Sequence, residues 1–394
     1  MSTSPLTVFL VFLRLGLTSF GGPVAHLGYF RADLVERRRW LDEVMYADLI
    51  ALCQFLPGPA SSQVGIAIGT IRAGLLGGLA AWLGFTLPSA LIMIAFAYGI
   101  ALLGDVAGSG WLHGLKVVVV AVVAQAVWQM GQRLCPDRLR ASIAVIAAVI
   151  LVIWSDALVQ LLVIGVGGLI GWRLLQFQTN SNSVIKSPIM PRIGMLFGLL
   201  FAILLAGSLI ITSFGGNPTL TLLAGMVRSG SLVFGGGHVV LPLLEPVVVG
   251  GDFMSAETFI AGYGAAQAVP GPLLSFSAYL GAVASAYPAG WVGGILALVA
   301  IFLPSFLLVW AALPFWATLR ARPDAQAALA GVNAAVVGVL LAALYQPVIT
   351  SAIRGPFDVA LALGSFAALH LWRIPPWAVV LLCALIGGFG WSGQ

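Results

Sequence analysis

The sequence predicts an all-α polytopic membrane protein built from two inverted homologous repeats with broken or re-entrant helices. The first observation is composition, because 60% of the 394 residues are hydrophobic and only 8% are charged. A soluble domain carries roughly a quarter charged residues, so a water-soluble globule is excluded. The second observation is a helix-breaking motif that occurs twice. The third is an arginine bias that is opposite in the two copies.

The repeated motif is Gln-x-x-Pro-Gly-Pro, at Gln54 to Pro59 and again at Gln267 to Pro272. Two prolines remove two backbone donors and fix two φ angles, so a helix that reaches them must stop. At membrane depth, irregular backbone is tolerated only where it is buried in protein or lines a polar cavity. Matched breaks in two halves of one chain are typical of the binding site of a secondary transporter.

In chain order, we expect short helices around the breaks and longer spans after them. A second break, Ser19 to Pro23, interrupts the first helix, and a charged interfacial segment, Val24 to Trp40, follows it. The remaining elements of the first half are helices at about 42–55 and 60–72, long apolar runs at about 77–104 and 112–132, and two spans at about 141–154 and 158–175.

Residues 177–192 form the extended polar stretch between the halves, and we interpret them as a linker. This interpretation predicts an N-terminal repeat at 1–176 and a C-terminal repeat at 193–394. The last two apolar runs, about 358–372 and 375–391, fall outside the matched blocks. We therefore expect two extra helices at the C-terminus.

Four ordered blocks recur at nearly constant spacing. Arg14, Gly21 and Gly22 are followed by Arg228, Gly235 and Gly236 at an offset of 214 residues (235 − 21 = 214). The offset is 213 for Pro-Gly-Pro (270 − 57 = 213), 216 for Leu-Pro-Ser (304 − 88 = 216), and 217 for Gly114 and Gly331 (331 − 114 = 217). Such regular self-similarity indicates a duplication.

The arginines indicate that the two copies face opposite ways. The loop after the first Gly-Gly break carries Arg31, Arg37, Arg38 and Arg39, whereas its counterpart at 239–255 carries none. Conversely, Arg320 and Arg322 follow the second copy's long span, and the matching first-copy loop contains only Asp105 as a charged residue. Since arginine-rich loops stay in the cytoplasm, opposite bias at equivalent loops predicts inversion. Whether the breaks are re-entrant hairpins or kinked full spans is left open by this argument.

Each Pro-Gly-Pro is followed by a new helix whose first amides lack intrahelical partners. These amides and the positive end of the helix dipole predict an anion site. Its glycines let a ligand approach the backbone. The alternative is a pair of kinks that neighbouring helices satisfy. The predicted residues are Gln54, Pro57, Gly58, Pro59, Ser61, Ser62, Gln267, Pro270, Gly271, Pro272, Ser275 and Ser277.

Arg14 and Arg228 occupy equivalent positions in apolar helices. An arginine at the centre of a membrane helix costs about 2.5–3.5 kcal/mol on insertion scales, so a symmetric pair favours function. The planar, permanently charged guanidinium suits a tetrahedral oxyanion. The alternative is a snorkelling arginine, or one paired with Asp48 or Glu245. Free amides of Gly21, Gly22, Gly235 and Gly236 would complete this predicted site.

Other polar residues are weaker candidates. Lys116 matches Asn333 and is either a site cation or part of a structural pair. Asp48 and Glu245 are the intramembrane acids that could couple transport to protons, and both could instead be interfacial. The histidines His26, His113 and His238 are more often structural groups than proton carriers.

No metal-ligand spacing, nucleophile elbow, phosphate loop or soluble domain suggests an enzyme. We therefore expect no catalytic residues, no metal, no cofactor and no nucleic-acid partner. The expected partners are a dianion and the lipid bilayer, and a homodimer is one assembly that the sequence allows.

Several of these strings resemble the chromate ion transporter family in its two-domain form. They are Phe12–Gly16, Ser19–His26, the two Gln-to-Pro motifs, Phe85–Pro88, Phe234–His238 and Ile301–Ser305. One departure is that Gly237 and His238 stand in the second copy where the first has Pro23 and Val24, so the half-sites are not equivalent. The resemblance implies a sensitive role for Arg14, Arg228 and both breaks. His238, beside the second Gly-Gly break, is a further predicted substrate-binding residue.

The resemblance further implies a bacterial inner-membrane transporter that expels chromate and so confers resistance. The residues alone predict a secondary transporter for a tetrahedral oxyanion, with a central site between the repeats. The alternatives are uptake or exchange of sulfate or a related oxyanion and, from another class, an anion channel or a membrane-embedded enzyme.

Overall fold

The computed structural model describes residues 3–103, 110–154, 157–176, 187–233, 240–286, 288–320 and 322–390. Across these residues the chain is helical and contains no strand, which confirms the all-α prediction. Within them, five helices are long and apolar enough to cross a membrane: Ala60–Ile100, Gly110–Leu134, Pro191–Phe214, Gly290–Leu319 and Pro323–Ala352. The chain is therefore a multi-pass membrane protein.

In the first copy, the described residues form seven helices, two of them long. In order they are α1 (Pro5–Thr18), α2 (Gly22–Phe30), α3 (Glu43–Phe55), α4 (Ala60–Leu103), α5 (Gly110–Leu134), α6 (Arg138–Ile153) and α7 (Ala157–Leu174). A π-helical segment, Arg31–Arg37, extends α2. Ala73 and Gly74 have non-helical backbone angles and divide α4 into a short and a long part.

One helix, α8 (Pro191–Phe214), connects the two copies. The second copy then contains α9 (Pro218–Leu232), α10 (Val240–Val248), α11 (Ala256–Ala268), α12 (Phe276–Val283), α13 (Gly290–Ala312), α14 (Trp316–Arg320), α15 (Pro323–Ala343), α16 (Thr350–Ala352), α17 (Pro356–His370) and α18 (Pro376–Gly390). α3 and α11 both stop just before Pro-Gly-Pro, so each copy of the motif breaks a helix as predicted.

The first copy's broken helices form hairpins that open on one side of the molecule. Arg72, at the end of the short part of α4, donates to the Thr3 hydroxyl at 2.7 and 3.1 Å. The same guanidinium lies over the Trp40 ring, just after the π-helical segment, at 5.3 Å. The start of α1, the end of the α2 segment and the end of the short part of α4 therefore meet. Both breaks in this copy are re-entrant, and we call the side where Arg38 and Arg72 lie the arginine-rich side.

The second copy opens on the other side. After its kink, α4 is long enough to cross a bilayer of about 30 Å. Near its far end, the Tyr98 hydroxyl accepts a hydrogen bond from the backbone N–H of Trp291, at 3.1 Å. The hairpin of α11 and α12 closes beside this point, since the Ser285 N–H donates to the Phe253 carbonyl at 3.0 Å. The repeats are therefore inverted, as predicted.

The breaks of the two copies meet at the centre in a crossed arrangement. The Gly58 N–H donates to the Val233 carbonyl at 2.5 Å, and the Gly271 N–H donates to the Ser19 carbonyl at 2.9 Å. Each Pro-Gly-Pro thus bonds to the residue two positions before the Gly-Gly pair of the other copy. The φ angles of Gly58 and Gly271 are +134° and +97°, which only glycine adopts without strain.

The two C-terminal helices, which we expected to lie outside the repeat, have counterparts in the first copy. α17 and α18 pack on α5, as α6 and α7 pack on α15. Gly387 of α18 lies directly against Gly114 of α5, and Gly171 of α7 lies directly against Gly331 of α15. These glycine contacts let the helix backbones approach closely. α17 and α18 therefore take the place in the second copy that α6 and α7 take in the first.

Of the predicted linker 177–192, residues 177–186 lie outside the described residues, and α8 begins at Pro191.

Candidate functional site

A cavity of about 600 Å³ reaches from the arginine-rich side to the central breaks. It lies between the α1–α2 break, α5, the α11–α12 break, and the turn that joins α17 to α18. Its polar or glycine lining is Gly21, Gly22, Gln125, Gln129, Gln132, Arg133, Gln267, Gly271, His370 and Arg373. Inverted repeats with breaks that meet at the centre are the usual setting for a transported ligand.

The N-terminus of α2 forms part of the inner wall of this cavity. Gly21 is the N-cap residue, with a φ of +97° and no side-chain hydrogen bond to cap the helix. Gly22 and Ala25 of the first turn also line the cavity. First-turn amides have no intrahelical acceptors, and the positive end of the helix dipole lies here. The predicted role of Gly21 and Gly22 as an anion contact is therefore geometrically available.

Side-chain amides add further donors. Gln267 lines the cavity, and its buried Nε2 has no hydrogen-bond partner among the described residues. Across the cavity, Gln125, Gln129 and Gln132 follow one face of α5, and the Gln125 Nε2 donates to the Leu369 carbonyl at 3.1 Å. A buried donor without a protein acceptor carries a desolvation cost unless a ligand or water accepts from it.

The mouth of the cavity is positively charged. Arg133 ends α5, and Arg373 lies in the turn between α17 and α18. Both side chains are exposed and line the cavity, with His370 between them and the interior. None of the described residues in the lining is an aspartate or glutamate. A cavity walled by donors and cations attracts anions and excludes cations.

The two arginines expected at a shared site do not lie in this cavity. Arg14 is exposed, on the same face of α1 as the exposed Leu10 and Leu17. Arg228 is half-buried and contacts the Thr212 hydroxyl of α8 at 3.4 Å. It lines a separate small pocket together with Gln160 and Ser229. This conformation does not bring the two guanidinium groups together at the large cavity, because neither of them lines its wall, and the shared pair stays a prediction.

The helices that restart after Pro-Gly-Pro are also packed more tightly than expected. Ser61, Ser62, Ser275 and Ser277 are each at most 2% exposed, and none of them lines the cavity. The Gln63 side chain instead donates to the Pro57 carbonyl at 2.7 Å and fills the space beside Gly58. Of the residues in the two Pro-Gly-Pro motifs, only Gly271 lines the cavity. The four prolines, Pro57, Pro59, Pro270 and Pro272, form the turns at the two breaks. The four serines are therefore buried in packing, and the Gly58 and Gly271 amides donate to carbonyls of the other copy.

None of the remaining predicted residues is found among the described residues that line the large cavity. Gly235, Gly236 and His238 lie outside the described residues. Asp48 is 2% exposed and accepts a hydrogen bond from Trp316 Nε1 at 2.8 Å. Lys116 is buried on α5, away from the cavity lining. Glu245 lines a different, smaller cavity.

Gln54 shows that the two copies are not equivalent in this conformation. Its counterpart Gln267 lines the cavity, whereas Gln54 is exposed on α3 and does not. The histidines have structural contacts, with His26 Nδ1 lying 3.3 Å from the Ser61 hydroxyl and His113 Nε2 lying 3.0 Å from Asp358.

Sequence reasoning missed Arg133, Arg373, His370 and the three glutamines of α5. The glutamines were detectable, since residues i, i+4 and i+7 share one helix face. The arginines and His370 carried no such pattern. Among the described residues, no group of three or more metal-ligating side chains occurs.

Comparison with known proteins places the repeats in one family. The model of the family described as "Chromate transporter" matches residues 6–172 and again 220–388. The second match includes α17 and α18, and α8 lies between the two matched regions.

Similar curated proteins cover nearly the whole chain. A chromate transport protein of Pseudomonas aeruginosa is 29% identical, over 98% of this chain and 91% of the relative. A probable chromate transport protein of Synechococcus elongatus is 28% identical, over 97% and 94% respectively. An uncharacterized transporter of Methanocaldococcus jannaschii is 28% identical, over 86% and 83%. No solved structure matches the chain.

Proposed function

The chain belongs to the chromate transporter family, and we propose that it is a secondary transporter that exports chromate from the cytoplasm through the central cavity. The substrate is a tetrahedral dianion that enters at Arg133 and Arg373. It then binds between the N-terminus of α2 and Gln267. In this assignment the protein resides in the bacterial inner membrane and acts without a cofactor.

The observation that carries the proposal is the chemistry of the cavity wall. A dianion that leaves water must exchange its hydration shell for fixed donors, or the transfer is prohibitively costly. The first-turn amides of α2, the unpartnered Gln267 Nε2 and the glutamines of α5 offer such donors on opposing walls. Since no carboxylate lies in the described lining, nothing there repels an anion.

The direction of transport is supported by charge and membrane potential. The positive-inside rule identifies the arginine-rich side as cytoplasmic, so the cavity is open to the cytoplasm. An inside-negative potential contributes about 2.3 kcal/mol per charge per 100 mV, or about 4.6 kcal/mol for a dianion that moves outward. This driving force suffices for export without an obligatory proton.

Transport in everted membrane vesicles tests the proposal. Radiolabelled chromate should accumulate inside vesicles that contain the protein, saturably, and faster when an inside-positive potential is imposed with valinomycin and potassium. Vesicles without the protein are the control. Accumulation in right-side-out vesicles alone would reverse the direction, and sulfate accumulation without chromate accumulation would favour the sulfate alternative.

A further inference from the structure

A second, smaller cavity lies on the side opposite the arginine-rich side. Its volume is about 60 Å³, enough for only a few waters. It lies between the ends of α6 and α15, the start of α7, and α10. The lining residues are Leu151, Gln160, Pro242, Glu245, Pro246, Val339, Ala342, Ala343, Gln346 and Pro347.

This small cavity is the repeat-related counterpart of the large one. At the 217-residue offset that joins Gly114 to Gly331 (331 − 114 = 217), four lining residues of α5 map onto four lining residues in and just after α15. The four correspondences are Val122 with Val339, Gln125 with Ala342, Ala126 with Ala343, and Gln129 with Gln346. The same wall is thus built twice, once around a cavity of about 600 Å³ and once around a cavity of about 60 Å³.

The wall of the small cavity carries anion-binding chemistry of its own. Gln160 is 7% exposed, and its Nε2 has no hydrogen-bond partner among the described residues. It lines both the small cavity and an adjoining pocket that contains Arg228 and Ser229. A buried amide donor beside a guanidinium is a donor set for an oxyanion. Glu245 lines the same cavity from α10.

We propose that this small cavity is the outward half of the transport path, narrow in this conformation, with Gln160 and Arg228 as an exit site for the tetrahedral dianion. The inference rests on the proposed function for the identity of the ligand. In the outward-open state, the small cavity between α6, α7, α10 and α15 widens, and the large cavity beside α5 narrows. The two inverted copies exchange conformations around the central breaks.

The first test blocks the exit without touching the cytoplasmic cavity. Ala342→Trp places a large side chain in the small cavity, and Leu341→Trp, whose site is 37% exposed on the same helix, is the matched control. We expect Ala342→Trp to bind radiolabelled chromate within about twofold of the parent protein and to transport it at least tenfold more slowly. Leu341→Trp should retain both activities. Parent-like transport by Ala342→Trp overturns the exit assignment.

The second test needs no substrate and remains decisive if the tryptophan variant misfolds. In a chain whose Cys53, Cys135 and Cys383 are replaced by serine, a membrane-impermeant maleimide should modify Ala342→Cys from the outer side only. Gln125→Cys should react from the cytoplasmic side only, and Leu341→Cys from neither. Failure of Ala342→Cys to react from outside refutes the outward path. Absence of chromate binding by the parent protein instead refutes the proposed substrate, and the labelling pattern still decides the path.

Discussion

Replacing Gln267 by leucine should impair transport far more than it impairs the fold. Gln267 Nε2 lines the cavity and has no protein acceptor among the described residues. A hydrogen bond to a charged group is worth about 1.5–3 kcal/mol. If the amide donates to the dianion, its loss should lower the transport efficiency, kcat/KM, roughly 10- to 150-fold.

The matched control is Tyr263→Phe. Tyr263 is buried one helical turn before Gln267 on α11, so Tyr263→Phe disturbs the same region of the fold and leaves the Gln267 amide in place. Only Gln267→Leu also removes the amide from the cavity. Chromate flux in everted vesicles and Tm in detergent are measured for both. Equal flux in the two variants would show that the amide does not contact the substrate.

Two further predictions concern the mouth of the cavity and the helix contacts. In water, a guanidinium about 10 Å from a dianion contributes about 0.8 kcal/mol, roughly fourfold in affinity. Arg133→Gln or Arg373→Gln should therefore raise the apparent KM for chromate about fourfold at low salt, and the double variant about 15-fold. The difference in apparent KM between variant and parent should shrink at high ionic strength. The control is Arg138→Gln, at an exposed arginine outside the cavity lining, which should leave the apparent KM unchanged. Gly16→Ala places a Cβ 2.6 Å from the Phe85 carbonyl oxygen, and Gly230→Ala drives one into the Ile301 carbonyl. Each should lower stability by about 1–3 kcal/mol in thermal unfolding, whereas Gly28→Ala, which meets nothing within 4 Å, should leave Tm unchanged or raise it.

Inversion and the broken helices were predictable because they depend on local chemistry. A Pro-Gly-Pro motif stops a helix wherever it occurs, and arginine-rich loops report the side of the membrane. The misjudged C-terminal helices show the limit of this reasoning. α17 and α18 resemble α6 and α7 in their packing on the other copy's long helix, and their sequences share no motif that we recognised.

The sequence by itself determined that this chain crosses a membrane, that it contains two copies of one unit, and that its breaks lie where a ligand could bind. Those properties follow from composition, from proline and glycine, and from regular spacing. Only the tertiary structure decided which residues meet at the cavity. Arg14 and Gln54 look equivalent to Arg228 and Gln267 in the sequence, yet only Gln267 of the four lines the large cavity. The physical reason is that α8 packs on α9 and α13 of the second copy and that the two related cavities differ in volume, about 600 and about 60 Å³, so the two copies have different surroundings.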